Sequence, residues 1–356
     1  MLKSNAWPTL RYASVLSLLT LAISCDRVKR ETTDRFVSHE PSTWTSRSDC
    51  EALLSERTET RQNPRLATWN IRYFPDSQEQ TQTDEAQATD VPWLACAIAS
   101  LDVDVLAVQE FKTTDRAIAK ANELVQRLNE LTGGNWQLEI APCEPAEVQH
   151  PGFLYDANRV TGTHFREIPA LNPDPICTNN ASPGFAGYFS VNGGPDFHFI
   201  SVHLQAGDVA STMERRNQSL SALQTVVDET ASIVADADVF FAGDFNTSGC
   251  NDCDQAVSSA EEVERLAQTV DSLQTPFQLV GASESCSRQI DENPPLLDHF
   301  VVADSATEVP VDSVAHVSGI CEEIHCDRLR EWLEDARERL SDHCPVILDL
   351  VAADDD

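Results

Sequence analysis

The chain has 356 residues, 41% of them hydrophobic, which is enough for one large domain with a sizeable core and too apolar for a largely disordered polymer. Its 58 Asp and Glu against 25 Lys and Arg give a formal charge of -33, and only four of the cations are lysine. Such a surface repels polyanions unless a local cationic patch or a bound divalent metal offsets it, so it argues against a broad nucleic-acid-binding face and reads first as a device for solubility.

At the N-terminus, Lys3 and Arg11 precede the apolar run VLSLLTLAIS, Val15 to Ser24, which is too short to span a bilayer as a helix. Ala22 and Ser24 are small residues at the -3 and -1 positions of a cut before Cys25, so residues 1–24 read as an export signal. LAISC resembles a lipobox, with Ala22 where leucine is usual. Cys25 is therefore the expected lipidation site of a periplasmic or cell-surface lipoprotein anchored to the membrane; plain secretion is the alternative. Eleven cysteines is an odd count, and acylating Cys25 leaves ten for five disulfides in an oxidising compartment. Cys250 and Cys253 have CxxC spacing, but Cys321 and Cys326 are spaced differently, which favours disulfides over a zinc site. Residues 25–62 are polar and charged and read as a tether, whose second half Trp44 and Cys50 mark for docking.

Alternating strand and helix signals follow. RLATWNIRYF is a strand after Pro64. VPWLACAIASL puts Trp93, Ala97 and Leu101 at helical spacing. VDVLAVQE is a short Val-rich strand. DRAIAKANELVQRLNELTGG is a helix with Ile118, Leu124, Val125, Leu128 and Leu131 as its expected buried stripe and Gly133 as its stop. WQLEIA, GFLYD and FHFISVHL are strands, and Tyr155 in the second of these reads as core. ERRNQSLSALQTVVDETASIVADA predicts one more long helix, followed by the strands DVFFAGDF, LDHFVVA and HCPVILDLV. No linker interrupts the alternation, so one α/β domain is expected over residues 63–352. Several strands run into turns rather than helices, which predicts two packed sheets with helices outside.

Polar residues collect where these strands end. Asn70 interrupts the first, Glu110 ends the second after Gln109, and His203 ends FISVHL. Asp244 and Asn246 end VFFAGDF, Asp298 and His299 sit beside FVV, and Asp342 and His343 precede CPVIL. One such residue is ordinarily a turn, a helix cap or a satisfied structural group. Together they resemble the strand-end clusters from which α/β enzymes build sites. Carboxylates plus an amide suit a hard cation such as Mg2+, and two histidines with a spare carboxylate suit proton transfer near neutral pH. Metal plus proton transfer is minimum equipment for attacking a phosphate ester with water.

The motifs WNIR, VQEF, VHL, GDFN, LDHF and SDHCPV resemble, in sequence and in order, the endonuclease/exonuclease/phosphatase superfamily over residues 66–350. The resemblance implies a four-layered α/β sandwich of two packed mixed β-sheets flanked by helices, as in deoxyribonuclease-I-like enzymes. It implies Glu110 as main metal ligand, with Asn70 and Asp342 on the metal side. Mg2+ is the expected cofactor, with Mn2+ or Ca2+ as alternatives. Asp244 and Asn246 resemble the pair that positions the attacking water and a phosphate oxygen. His343 resembles the histidine at the scissile phosphate, a base paired with Asp298. His203 matches a second histidine, an acid absent from the abasic-site branch. Arg72 reads equally as a substrate-phosphate contact or a surface arginine. The family's glutamate partner for the first histidine is missing, because Gln149 and His150 stand in its place. The resemblance also implies that Cys250 or Cys253 pairs with Cys286, whereas the insert holding Cys321 and Cys326 has no counterpart.

The expected function is an Mg2+-dependent phosphodiesterase, an exported deoxyribonuclease-I-like endonuclease acting as a monomer. The alternative is a phosphatase or sphingomyelinase-like phospholipase on a small or membrane phosphoester, which the charge favours and the NIR motif does not. An inactive binding module on this fold is disfavoured, because no motif residue is lost.

Overall fold

Apolar runs of period two assemble into two sheets packed face to face, with helices on the outer faces. A computed structural model describes residues 42–351, apart from 58–60, 62, 81–83, 85–86, 173–175, 290–293, 325 and 327–333. The expected export signal, Cys25 and the first part of the tether lie outside the described residues. One sheet runs in the order β10 (Gly281–Ala282), β12 (Val314–Val317), β13 (Val346–Asp349), β1 (Arg65–Phe74), β2 (Val105–Phe111), β4 (His150–Asp156) and β3 (Trp136–Ile140). The other runs β5 (Val160–Ile168), β6 (Ser182–Val191), β7 (Asp196–His203), β8 (Val239–Asp244), β11 (Asp298–Ala303) and β9 (Phe277–Leu279). Parallel pairs β1–β2 and β7–β8 sit inside otherwise mostly antiparallel sheets. The expected four-layered sandwich is the fold observed.

Strand alternation explains the layers. In β8, Phe240 and Ala242 face the other sheet, while Val239 and Phe241 face the outer helices. Between the sheets, Phe153 meets Phe185, Phe189 and Phe199 at ring separations of 5.8, 5.1 and 5.4 Å. Tyr155 belongs to this core, stacked on Phe165 at 6.0 Å. Outside the second sheet lie α4 (Ala210–Ser221), α5 (Leu223–Ala231) and α6 (Ser259–Asp271), whose Leu223, Val226, Leu266 and Val270 cover Phe241 and Phe245. Outside the first lie α1 (Arg47–Glu56), α2 (Val91–Leu101) and α3 (Asp115–Thr132).

Several expectations need correcting. The buried stripe of α3 is Ala117, Ala121, Leu124 and Leu128, whereas Ile118 and Leu131 are 42% and 40% exposed. Small alanines let α3 lie close against α2, which turns the two larger side chains to the rim. The expected helix through residues 214–237 begins earlier, breaks at Ala222 and ends at Ala231. Residues 42–56, the second half of the expected tether, dock on the domain as Trp44 and Cys50 suggested, so its packed part starts before residue 63. Trp44 packs edge-on against Trp69 at 5.8 Å, and Cys50 is disulfide-bonded to Cys96 on α2.

Five disulfides use the ten cysteines after Cys25. Cys250 and Cys253 bond to each other, not to Cys286. Cys286 pairs instead with Cys326, and Cys321 with Cys344. The insert with no family counterpart, including α7 (Ile320–Ile324) and α8 (Glu334–Arg339), is thereby stapled to both segments that flank His343.

Candidate active site

Backbone geometry aims the polar strand ends inward. Gly243 lies directly beside Val202 of β7, and a Cβ there would collide with the Val202 carbonyl. Its φ of 149° also suits glycine. That close approach puts His203 in register with Asp244, and Asp244 in register with Asp298 of β11. On the facing sheet, the registers of β1 and β2 shift beyond Asn70 and Val108. Arg72, Tyr73 and Glu110 take φ values of 36°, 51° and 66° at these irregularities. Such strain, held by surrounding structure, re-aims side chains at strand ends. Phe245 points into the outer core, as alternation requires, and Asn246 follows with a φ of 51°.

One amide ties the two sheets together. Asn70 Nδ2 donates to Glu110 Oε1 at 2.9 Å and to Asp244 Oδ2 at 3.1 Å. Glu110 Oε2 accepts from the Tyr73 amide at 3.0 Å. His203 Nε2 lies 3.9 Å from both Glu110 Oε1 and Asp244 Oδ2. Asn246 accepts its place from Asp244 Oδ1, which takes its backbone N–H at 2.8 Å, and its Nδ2 donates to the Leu204 carbonyl at 2.9 Å.

His343 Nδ1 meets Asp298 Oδ2 at 2.9 Å, which leaves Nε2 3.8 Å from Asp244 Oδ2. Ser287 Oγ donates to the same Asp298 oxygen at 2.6 Å and accepts the Leu297 and Asp298 amides. Ser341 Oγ bonds the Asn70 carbonyl at 2.6 Å and accepts the His343 amide at 3.0 Å, linking the two motifs. Trp69 Nε1 donates to the His343 carbonyl at 2.8 Å. No motif pointed to Ser287; Ser341 was visible only as the first letter of SDH.

Electrostatics divide the site. Burial pushes Glu110 upward against the pull of His203, and pushes Asp244 up to about 6 against that of His343. Burial alone would lower His343, but Asp298, Asp244 and Asp342 outweigh it and hold the imidazole up to about 9. The neighbouring carboxylates thus favour the protonated form of His343. Burial lowers His203 despite Glu110. His203 Nδ1 is buried without a hydrogen-bond partner among the described residues, none of which replaces the missing carboxylate. His150 instead bonds the Ala141 and Pro145 carbonyls. His299 faces away from the site, bonded to Thr247 Oγ1 at 2.9 Å, and burial pushes it down to about 4.

Asp342 sits on the arginine side. Arg288 donates to its Oδ2 from Nε and Nη2 at 3.2 Å each, and Arg72 Nε lies 3.7 Å from Oδ1. Burial would raise this carboxyl, but His343 and the two arginines hold it below the usual range. The donor set suits a hard divalent cation: Glu110 and Asp244 are buried carboxylates destabilised by burial, joined by an amide and without sulfur. A positive ion there would offset the penalty on both and draw the His343 proton downward.

No protein-family model and no curated protein matches the sequence. Solved structures do match in three dimensions. An endonuclease/exonuclease/phosphatase from Bacteroides vulgatus superposes with a TM-score of 0.54 at 15% identity, over 82% of this chain and 100% of that one. The human Nocturnin catalytic domain with bound sulfate gives 0.52 at 16%, over 83% and 97%. D. rerio TDP2 complexed with single strand DNA product gives 0.52 at 15%, over 82% and 99%. The chain has the fold of the endonuclease/exonuclease/phosphatase structures.

Proposed function

We propose that the protein is an exported, divalent-metal-dependent phosphoester hydrolase, acting as a phosphodiesterase of the nuclease type. The observation that carries this reading is the junction of the two sheets at Asn70, which bonds Glu110 and Asp244 at once beside two histidines of opposite charge preference. Glu110, with Asn70 and with Asp342 nearby, would hold Mg2+, Mn2+ or Ca2+. Such an ion supplies Lewis-acid polarisation of a phosphate oxygen. Asp244 and Asn246 position the attacking water, and Asp298 fixes the tautomer and ring of His343, which exchanges a proton at the scissile phosphate. Fold relatives that include TDP2 with a single strand DNA product and a mannosyl-6-phosphatase support phosphoester chemistry and leave the leaving group open. Five disulfides and the N-terminal apolar run support export, with Cys25 as a lipid anchor. The charge of -33 favours a short or small substrate over long duplex.

Residues 26–356 assayed on plasmid DNA, RNA, sphingomyelin and bis(p-nitrophenyl) phosphate test this, each with Mg2+ and with chelator. Loss of turnover in chelator and in His343→Ala is expected. Activity surviving both would refute the mechanism, and turnover of sphingomyelin but not nucleic acid would transfer the protein to the phospholipase class.

A further inference from the structure

In a chain of net charge -33, two guanidinium groups stand beside the site. Arg72 comes from the strained end of β1, where its Nη1 donates to the Arg337 carbonyl at 3.1 Å. Its other carboxylate neighbour, Glu338 at 3.9 Å, is 53% exposed and screened by solvent. Arg288 comes from the loop before β11. A backbone bridge pairs Arg288 with His343 itself, the Gln289 amide donates to the Asp342 carbonyl at 2.8 Å, and the Cys344 amide donates to the Ser287 carbonyl at 2.7 Å. The Cys286–Cys326 and Cys321–Cys344 disulfides pin both strands of this bridge. Arg288 is therefore rooted as firmly as the histidine beside it, yet its side chain stays 40% exposed.

Asp342 gives one negative charge to two guanidinium groups. Both Arg288 bonds converge on a single oxygen, and Nη1 of Arg288 has no partner among the described residues. Its backbone bridge to His343 and its bonds to Asp342 place Arg288 beside the catalytic strand ends. A guanidinium with spare N–H groups is suited to a phosphate oxygen pair, and its fork is pre-organised for it. The same pair would repel the quaternary ammonium of a choline headgroup.

We propose that Arg288, together with Arg72, binds a second phosphate of the substrate, adjacent to the phosphodiester being cut, so that the preferred substrate is a short oligonucleotide end bearing a terminal phosphate. This rests on the phosphodiesterase reading above and narrows it. Two arginines can hold one extra phosphate, whereas a net charge of -33 opposes a long backbone.

Binding of the thymidine dinucleotides TpT, pTpT and TpTp tests the assignment by fluorescence anisotropy. It is read in chelator, and again in Mg2+ with His343→Gln to slow cleavage. One terminally phosphorylated form is expected to bind at least about tenfold more tightly than TpT, and which form does so identifies the end recognised. Arg288→Gln should bring that ratio close to one, while Arg288→Lys keeps part of it because the charge remains without the fork. Near-UV circular dichroism checks that each variant keeps its fold. Equal binding of all three dinucleotides by the wild type, or an unchanged ratio in Arg288→Gln, would overturn the proposal. Hydrolysis under Mg2+, Mn2+ and Ca2+ is the separate test of the underlying reading. If the wild type cuts none of the three, that reading fails, while the binding ratio still decides what Arg288 does.

Discussion

Replacing Asp298 by asparagine removes a charge while nearly preserving shape. Asp298 is fully buried, and its Oδ2 serves both His343 Nδ1 at 2.9 Å and Ser287 Oγ at 2.6 Å. Against the effect of burial, Asp298 is the largest of the carboxylates that lift His343 from 6.5 to about 9. A rise of that size corresponds to roughly 3 kcal/mol in favour of the imidazolium. Because the folded value is raised, this stabilisation is complete below pH 6.5 and is lost as pH rises through about 9. In Asp298→Asn most of it should vanish, the His343 titration should fall to or below 6.5, and the decline of stability across that window should flatten. Turnover should drop by about 10²- to 10⁴-fold, the range for losing an effective proton-transfer group. The assays are the carbon-13 titration of the His343 imidazole in metal-free protein, urea unfolding at pH 6 and 9, and kcat on bis(p-nitrophenyl) phosphate. An unchanged titration together with wild-type kcat would refute the account of the pair.

Other expectations concern stability. Arg216 is almost fully buried and donates to both oxygens of Glu262 and to the Gln205, Gly207 and Gly249 carbonyls, clamping the loops beside GDFN. Arg216→Met should cost about 3–5 kcal/mol in urea unfolding, because it strands the buried Glu262 charge; a loss under 1 kcal/mol, or about the worth of an exposed pair, would contradict this. His299 has a folded value depressed from 6.5 to about 4, so its contribution is intact above 6.5 and lost as pH falls toward 4. Urea midpoints should decline through that interval, and His299→Gln should flatten the decline. Cys321→Ser/Cys344→Ser opens a loop of separation 23, whereas Cys250→Ser/Cys253→Ser opens one of separation 3. Loop entropy predicts losses of about 3 and about 2 kcal/mol, and only the first should also lower kcat, since Cys344 adjoins His343; equal kcat in both variants would count against the brace.

Much of the architecture was legible because its signals are local. Strand period two marked β1, β2, β7 and β8, and the same alternation puts Phe245 in the core between two polar neighbours. The polar strand ends stood out because each interrupts an apolar run. Cysteine arithmetic gave five disulfides and no connectivity, and the resemblance's pairing of Cys250 or Cys253 with Cys286 failed, because bridges depend on distances that spacing does not encode. The register that aligns His203, Asp244 and Asp298 exists only once β7, β8 and β11 pair. Ser287 and Arg288 look like ordinary loop residues until that loop is bridged to His343. Likewise, which stripe of α3 is buried depends on how closely α2 approaches. The sequence by itself determined the elements and the chemical groups at their ends, since both follow from nearest neighbours along the chain. Tertiary structure alone decided which of those groups meet, and so the opposite directions in which the two histidines shift, because burial and Coulomb interactions act through space rather than along the backbone.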